Sequence, residues 1–88
     1  MKVEFKASFL KDLQSVKDHS LKESIRKAII SVEKADNIQQ IPKIKKLTGY
    51  SSYYRIRIGD YRIGLNFESD TIYFVTLDHR KDIYKHFP

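Results

Sequence analysis

Cysteine is absent from this chain, so it holds neither a disulfide framework nor a thiolate metal site. Three glycines and two prolines leave little of the 88 residues free to be linker. No apolar run exceeds a few residues, far short of the roughly 20 that a membrane-spanning helix needs. The start, Met1-Lys2-Val3-Glu4-Phe5, alternates like a strand and lacks the apolar centre of a signal peptide, so the cytoplasm of a microbe is the expected location. No repeat, low-complexity stretch or metal-ligand cluster is visible. Neither a metal nor another cofactor is expected.

What is present is an ordinary globular mixture, 41% hydrophobic and 32% charged. Residues 1–88 are expected to form one domain with a thin core. Seventeen Lys and Arg against eleven Asp and Glu give a net charge of +6. Such a surplus attracts polyanions, because each phosphate neutralised releases condensed counterions. It also serves plain solubility, and only the placement of the charges separates the two.

The pattern along the chain predicts an α+β fold. Lys2 to Lys6 reads as a strand. Ser8 offers a helix cap, and Phe9, Leu10, Leu13 and Val16 follow at helical spacing. After a break at Asp18-His19, Ser20-Leu21-Lys22-Glu23 has the form of a capping box. Leu21, Ile25, Ala28, Ile29, Val32 and Ala35 then make one apolar stripe. Two amphipathic helices joined by so short a turn make an αα-hairpin that needs a surface to pack on. Asp36 to Pro42 reads as loop, and Thr48-Gly49 as a turn.

Beyond it the period changes to two. Tyr53 to Ile58, Tyr61 to Phe67 and Thr71 to Leu77 are rich in β-branched and aromatic residues, the mark of an antiparallel meander with the helices on one face. The third run is apolar on both faces and should be a central strand. Asp82 to Phe87 suits a last helical turn.

Gly59-Asp60 fits a two-residue type II′ hairpin loop, which fixes the register. Arg57 then faces Arg62, and Arg55 faces Gly64. Tyr54, Ile56, Ile58, Tyr61, Ile63 and Leu65 share an apolar face; Tyr53, Arg55, Arg57, Arg62, Gly64 and Asn66 share the other. Like charges directly opposite destabilise a sheet by a few tenths to about 1 kcal/mol, so stability alone does not explain the three arginines. Guanidinium forks match phosphate oxygens, and Gly64 leaves room for a ligand backbone. The structural alternative is a solvated face whose arginines pair with acids such as Glu68. Whether His79 or Arg80 points at the arginines is not decided by strand parity, and a lone histidine at a strand end is more often structural than catalytic.

The segments Lys46-Leu47-Thr48-Gly49, Tyr54-Arg55-Ile56-Arg57-Ile58-Gly59-Asp60-Tyr61-Arg62 and His79-Arg80-Lys81-Asp82-Ile83-Tyr84 together resemble the RelE/ParE toxin superfamily. The resemblance spans essentially the whole chain. It implies a bacterial toxin held by a cognate antitoxin. RelE-type members cut mRNA, typically in the ribosomal A site, whereas ParE-type members poison DNA gyrase. RelE's basic hairpin residues match Arg55, Arg57 and Arg62, and its late arginine and tyrosine match Arg80 and Tyr84. Their retention favours the nuclease branch. RelE has lysines where Arg55 and Arg57 stand, and a longer segment before its final tyrosine. The glutamate base of some relatives has no counterpart on the basic face.

Metal-independent RNA cleavage needs the 2′-OH deprotonated, the charged phosphorane stabilised and the leaving 5′-oxygen protonated. Arg55, Arg57 and Arg62 are the expected holders of phosphate and transition-state charge. Arg80 would assist the leaving side, and Tyr84 would stack on a base or orient a proton donor. His79 is the expected proton carrier, since imidazole is the side chain that titrates near neutrality, with His86 second. Lys45, Lys46, Tyr53 and Lys81 are the expected flanking RNA contacts. The rival readings are a non-enzymatic gyrase inhibitor and an RNA-binding domain without chemistry.

Overall fold

A computed structural model describes all 88 residues. The alternating start forms β1 (Lys2–Phe5), and the two apolar stripes form α1 (Ala7–Gln14) and α2 (His19–Lys34). A 3-10 turn at Ile38–Gln40 leads into β2 (Ile44–Lys46), a short strand with no signal of its own in the sequence pattern. Next come β3 (Tyr53–Ile58), β4 (Tyr61–Glu68), β5 (Thr71–His79) and the one-turn helix α3 (Ile83–His86). All five strands join one sheet in the order β1-β5-β4-β3-β2. The architecture is α+β as expected, with an antiparallel meander from β2 to β5. To it β1 adds a parallel edge, Lys2 opposite Thr71 and Phe5 opposite Phe74. That makes β5 interior, as its apolar faces require.

One face of the sheet carries the core. Ile56, Ile63, Leu65, Ile72, Phe74 and Leu77 are buried there beneath Phe9 of α1 and Ile25 and Val32 of α2. The helix α1 lies against β5, and α2 against β3 and β1. No helix is long and apolar enough to cross a membrane.

Both helices start on residues other than those the sequence suggested. The first begins at Ala7, and the Ser8 hydroxyl, rather than capping it, donates to the Val75 carbonyl on β5. The second begins two residues early. Asp18 caps it, its carboxylate accepting from Leu21 N–H at 3.1 Å, so Ser20 falls inside the first turn. Glu23 is then free to pair with Arg26, which holds its carboxyl below the ordinary range through their hydrogen bond. No capping box forms.

The bond from Ser8 marks an irregularity with consequences. Gly64 pairs with Thr76, but the next residue, Leu65, pairs with Phe74, so Val75 is an extra residue in β5. Such a bulge interrupts the ladder and moves every later side chain to the opposite face. The α1 helix covers the disturbed edge. The Asp12 carboxylate accepts from Thr76 Oγ1 at 2.9 Å and from Leu77 N–H at 3.1 Å. Replacing Asp12 with Ala orphans a part-buried amide and a buried hydroxyl, and should lower unfolding free energy by about 1–3 kcal/mol. Urea denaturation of the Asp12→Ala chain checks this. A change within error of zero means water replaces the carboxylate.

Candidate functional site

The hairpin β3–β4 has the register that its loop dictates. Gly59 takes a positive φ of +57° and Asp60 does not, the signature of a type II′ turn. Arg57 stands opposite Arg62, Arg55 opposite Gly64 and Tyr53 opposite Asn66, all on the face away from the helices. Lys45 on β2 pairs with Arg55 and so joins that face. Lys43, which enters β2 with φ +61°, completes an open cleft of about 390 Å³ with Ile44, Lys45, Arg55, Arg57 and Arg62. Every charge lining it is positive.

The charges within the cleft press on one another. Arg62 is held below the usual arginine range by burial and by its neighbours Arg55, Arg57 and Arg80, with Asp60 opposing. Its Nη1 donates to the carbonyls of Gly59 at 2.8 Å and Tyr61 at 2.9 Å, so backbone, not carboxylate, orients it. None of Arg55, Arg57 and Arg62 forms an ion pair. Glu68, the acid that might have neutralised them, accepts from Asn66 instead. Arg80 reaches the cluster from the far end of β5. Its N–H donates to Asp60 O at 2.7 Å, and its Nε lies 3.8 Å from Asp60 Oδ1.

The last turn of the chain folds back over this face. Ile83 and Phe87 are buried, one helical turn apart, while Tyr84 stands exposed with its ring 5.4 Å from the Arg55 guanidinium. His86 Nδ1 lies 2.7 Å from Asp78 Oδ2, and Asp78 is the residue directly across from Arg62. The space above Gly64, read from the sequence as room for a ligand, is filled by the chain itself. A Cβ there would come within 2.7 Å of the Phe87 ring. Tyr53 packs edge-on against the same ring, centroids 5.4 Å apart.

The structure therefore gathers Arg55, Arg57, Arg62, Arg80, Tyr84, Lys45 and Tyr53. It separates others from them. His79 pairs with Tyr61, and its ring packs edge-on to that tyrosine, on the opposite face from the arginines. Its Nδ1 accepts from Lys81 N–H, a structural bond. The bulge at Val75 is the cause: uninterrupted alternation would turn His79 outward, and the extra residue puts Asp78 there. Lys46 pairs with Tyr54 and so lies on the other face, and Lys81 projects from the exposed turn after β5. Asp78 and Lys43 were missed from the sequence. A bulge has no sequence mark here, and Lys43 precedes a strand that was itself unmarked.

An open sheet face on which Arg55, Arg57 and Arg62 stand together without ion pairs, under an exposed tyrosine, has the chemistry to receive a polyanion. Comparison with known proteins narrows the class. Residues 3–84 match the family described as the ParE toxin of the type II toxin-antitoxin system, parDE. The chain is 43% identical to Toxin RelE3 of Methanocaldococcus jannaschii, over 100% of both sequences. The fold is similar to the toxin in the crystal structure of the RelB-RelE antitoxin-toxin complex from Methanococcus jannaschii. That match has 39% identity and a TM-score of 0.80, covering 96% of this chain and 98% of the other. A RelE-RelB complex from Pyrococcus horikoshii OT3 shares the fold at 23% identity and a TM-score of 0.72, over 90% of this chain and 93% of that one. The chain belongs to the RelE/ParE family of toxins from toxin–antitoxin systems.

Proposed function

We propose that this toxin is a metal-independent endoribonuclease that cleaves mRNA on the ribosome and is neutralised by a cognate antitoxin. The observation that carries the reading is that Arg55, Arg57 and Arg62 crowd one face and none of the three is in an ion pair, although Asp78 stands across from Arg62 and Asp60 meets Arg80. A phosphorane, with two negative charges developing on non-bridging oxygens, is the ligand that relieves such crowding. The 43% identity to a RelE-named toxin supports the nuclease branch.

In this mechanism the ribose 2′-oxygen forms a bond to phosphorus as the bond to the 5′-oxygen breaks. The products are a 2′,3′-cyclic phosphate and a 5′-hydroxyl. Arg55, Arg57 and Arg62 hold the phosphate and stabilise the phosphorane. Arg80 lies toward the leaving group, and Tyr84 stacks on a base above Arg55. Arginine keeps its proton near neutrality, so the proton carrier must be another group. His86 takes that role from His79. Its Nδ1 meets the carboxylate of Asp78, the residue across from Arg62, an arrangement in which a carboxylate orients an imidazole.

Purified toxin added to programmed ribosomes should yield discrete mRNA cuts by primer extension with EDTA-stripped protein. The same preparation should leave gyrase supercoiling of plasmid unaffected. Gyrase inhibition without cuts assigns the chain to the ParE activity instead. The cleft's uncompensated positive charge also fits an acidic antitoxin segment that folds on binding. Expression alone should arrest growth, and co-expression with the adjacent antitoxin gene should restore it. Harmless high-level expression of the lone chain counts against a toxin role.

A further inference from the structure

The end of the chain is held on the open face by an unusual contact. Gly64 is the one position on that face of the β3–β4 hairpin without a side chain, and the Phe87 ring sits directly on it. A Cβ built on Gly64 would lie 2.7 to 2.8 Å from three carbons at the root of the ring. Phe87 is 3% exposed, with Tyr53 edge-on to it, and its N–H donates to the Ile83 carbonyl at 2.9 Å. Ile83, one turn earlier, is 2% exposed. Between these two anchors the turn presents Tyr84 and His86, each exposed. Tyr84 meets Arg55, the residue paired with Gly64; His86 meets Asp78, the residue paired with Arg62.

We propose that Phe87 is the positioning residue of this site, its ring seated on Gly64 so that α3 holds Tyr84 over Arg55 and His86 on Asp78. A four-residue helix has too few internal hydrogen bonds to persist alone, so its orientation must come from what it packs on. An aromatic ring in a glycine-shaped niche supplies a fixed seat that a flexible side chain does not. Gly64 thereby acquires a reason to be glycine that backbone conformation does not give, since its φ is not positive. The role rests on the nuclease reading for its effect on rate, but the seating itself is measurable without any activity.

The test uses the full chain and two substitutions that attack the contact from opposite sides. Phe87→Leu keeps apolar bulk and removes the ring; Gly64→Ala keeps the ring and removes its seat. In the wild-type NMR spectrum one Gly64 α-proton points into the ring face and should be shifted upfield by its current. That shift should vanish in Phe87→Leu, and the cross-peaks between the Tyr84 ring and the Arg55 side chain should vanish in both variants, while the rest of the spectrum stays folded. Cleavage on programmed ribosomes should fall by roughly 10²-fold in kcat with KM little changed, the scale of a misplaced catalytic group. In a Tyr84→Ala, His86→Gln background, Phe87→Leu should cost almost nothing more.

Several results overturn the proposal. They are an unshifted Gly64 α-proton, Tyr84–Arg55 cross-peaks that survive Phe87→Leu, or the full 10²-fold loss persisting in the Tyr84→Ala, His86→Gln background. The last would make Phe87 merely structural. If wild-type toxin cuts no mRNA, the nuclease reading fails, and the spectra alone then decide the seating. If Phe87→Leu unfolds, Gly64→Ala, with its own rate and spectrum, decides in its place.

Discussion

Arg62→Ala should lower the single-turnover cleavage rate on programmed ribosomes by roughly 10²- to 10³-fold, the loss typical of one preorganised donor to a developing oxyanion. Arg62 lies at the centre of the cluster, pressed by Arg55, Arg57 and Arg80 and partly stripped of water. Its fork is already fixed by the carbonyls of Gly59 and Tyr61, so binding a phosphate requires little further ordering of the side chain. Two opposing changes accompany the substitution in the free protein: the turn loses these hydrogen bonds, while Arg57 loses the like charge opposite it. Each is of order 1 kcal/mol or less at an accessible position, so thermal stability should change little. Arg62→Lys distinguishes charge from geometry. If lysine restores most of the rate, a point charge suffices and the fork is not required. A fall in activity that only tracks the folded fraction would make Arg62 structural and move the site elsewhere.

The second large effect concerns the proton. His86→Gln should slow cleavage by roughly 10²-fold or more, the usual scale for a lost acid–base group. His79→Gln should leave the rate nearly unchanged, because that ring packs with Tyr61 on the far side of the sheet. The pair of variants makes the bulge directly testable. A slow His79→Gln beside a normal His86→Gln would mean that the face assignment after Val75 is reversed in the working enzyme. Asp78→Asn adds a graded check. It keeps the shape but removes the charge that orients His86, and should fall between wild type and His86→Gln.

Much of this site was legible in the sequence because short-range rules govern it. A glycine-led two-residue loop sets the register of β3 and β4, and register alone puts Arg55, Arg57 and Arg62 together. Alternation of residue type then shows which face receives the helices. What the sequence hid depends on contacts between distant segments. The parity of β5 is decided at Val75, where the edge left by β1 is covered by Ser8 and Asp12 of α1. Nothing in the run Thr71 to Leu77 announces an extra residue, so strand parity left the face of His79 open and its expected role as proton carrier had no geometry behind it. Gly64 was read as an opening because its occupant, Phe87, lies more than twenty positions away and reaches it only through the fold of α3. The cap expected of the second helix failed for a local reason, since two acceptors, Asp18 and Ser20, stood close together and the carboxylate won; Ser8 was drawn from the first by a distant one, the Val75 carbonyl on β5.

The parallel pairing of β1 with β5 carries a consequence for the order of assembly. Lys2 meets Thr71, so the first strand synthesised can find its partner only after nearly the whole chain exists. The arginine hairpin needs only its own two-residue loop, and β5 joins it through another tight turn at Ser69 and Asp70. Loop-closure entropy thus favours a meander that condenses first, with β1 closing the sheet last. Val3→Ala should then speed unfolding while leaving the refolding rate nearly constant, and Ile63→Val should slow refolding. On this sequence of events, the pairing that sets Arg55, Arg57 and Arg62 side by side belongs to the folding transition state, and the closing of the β5 edge by β1 comes after it.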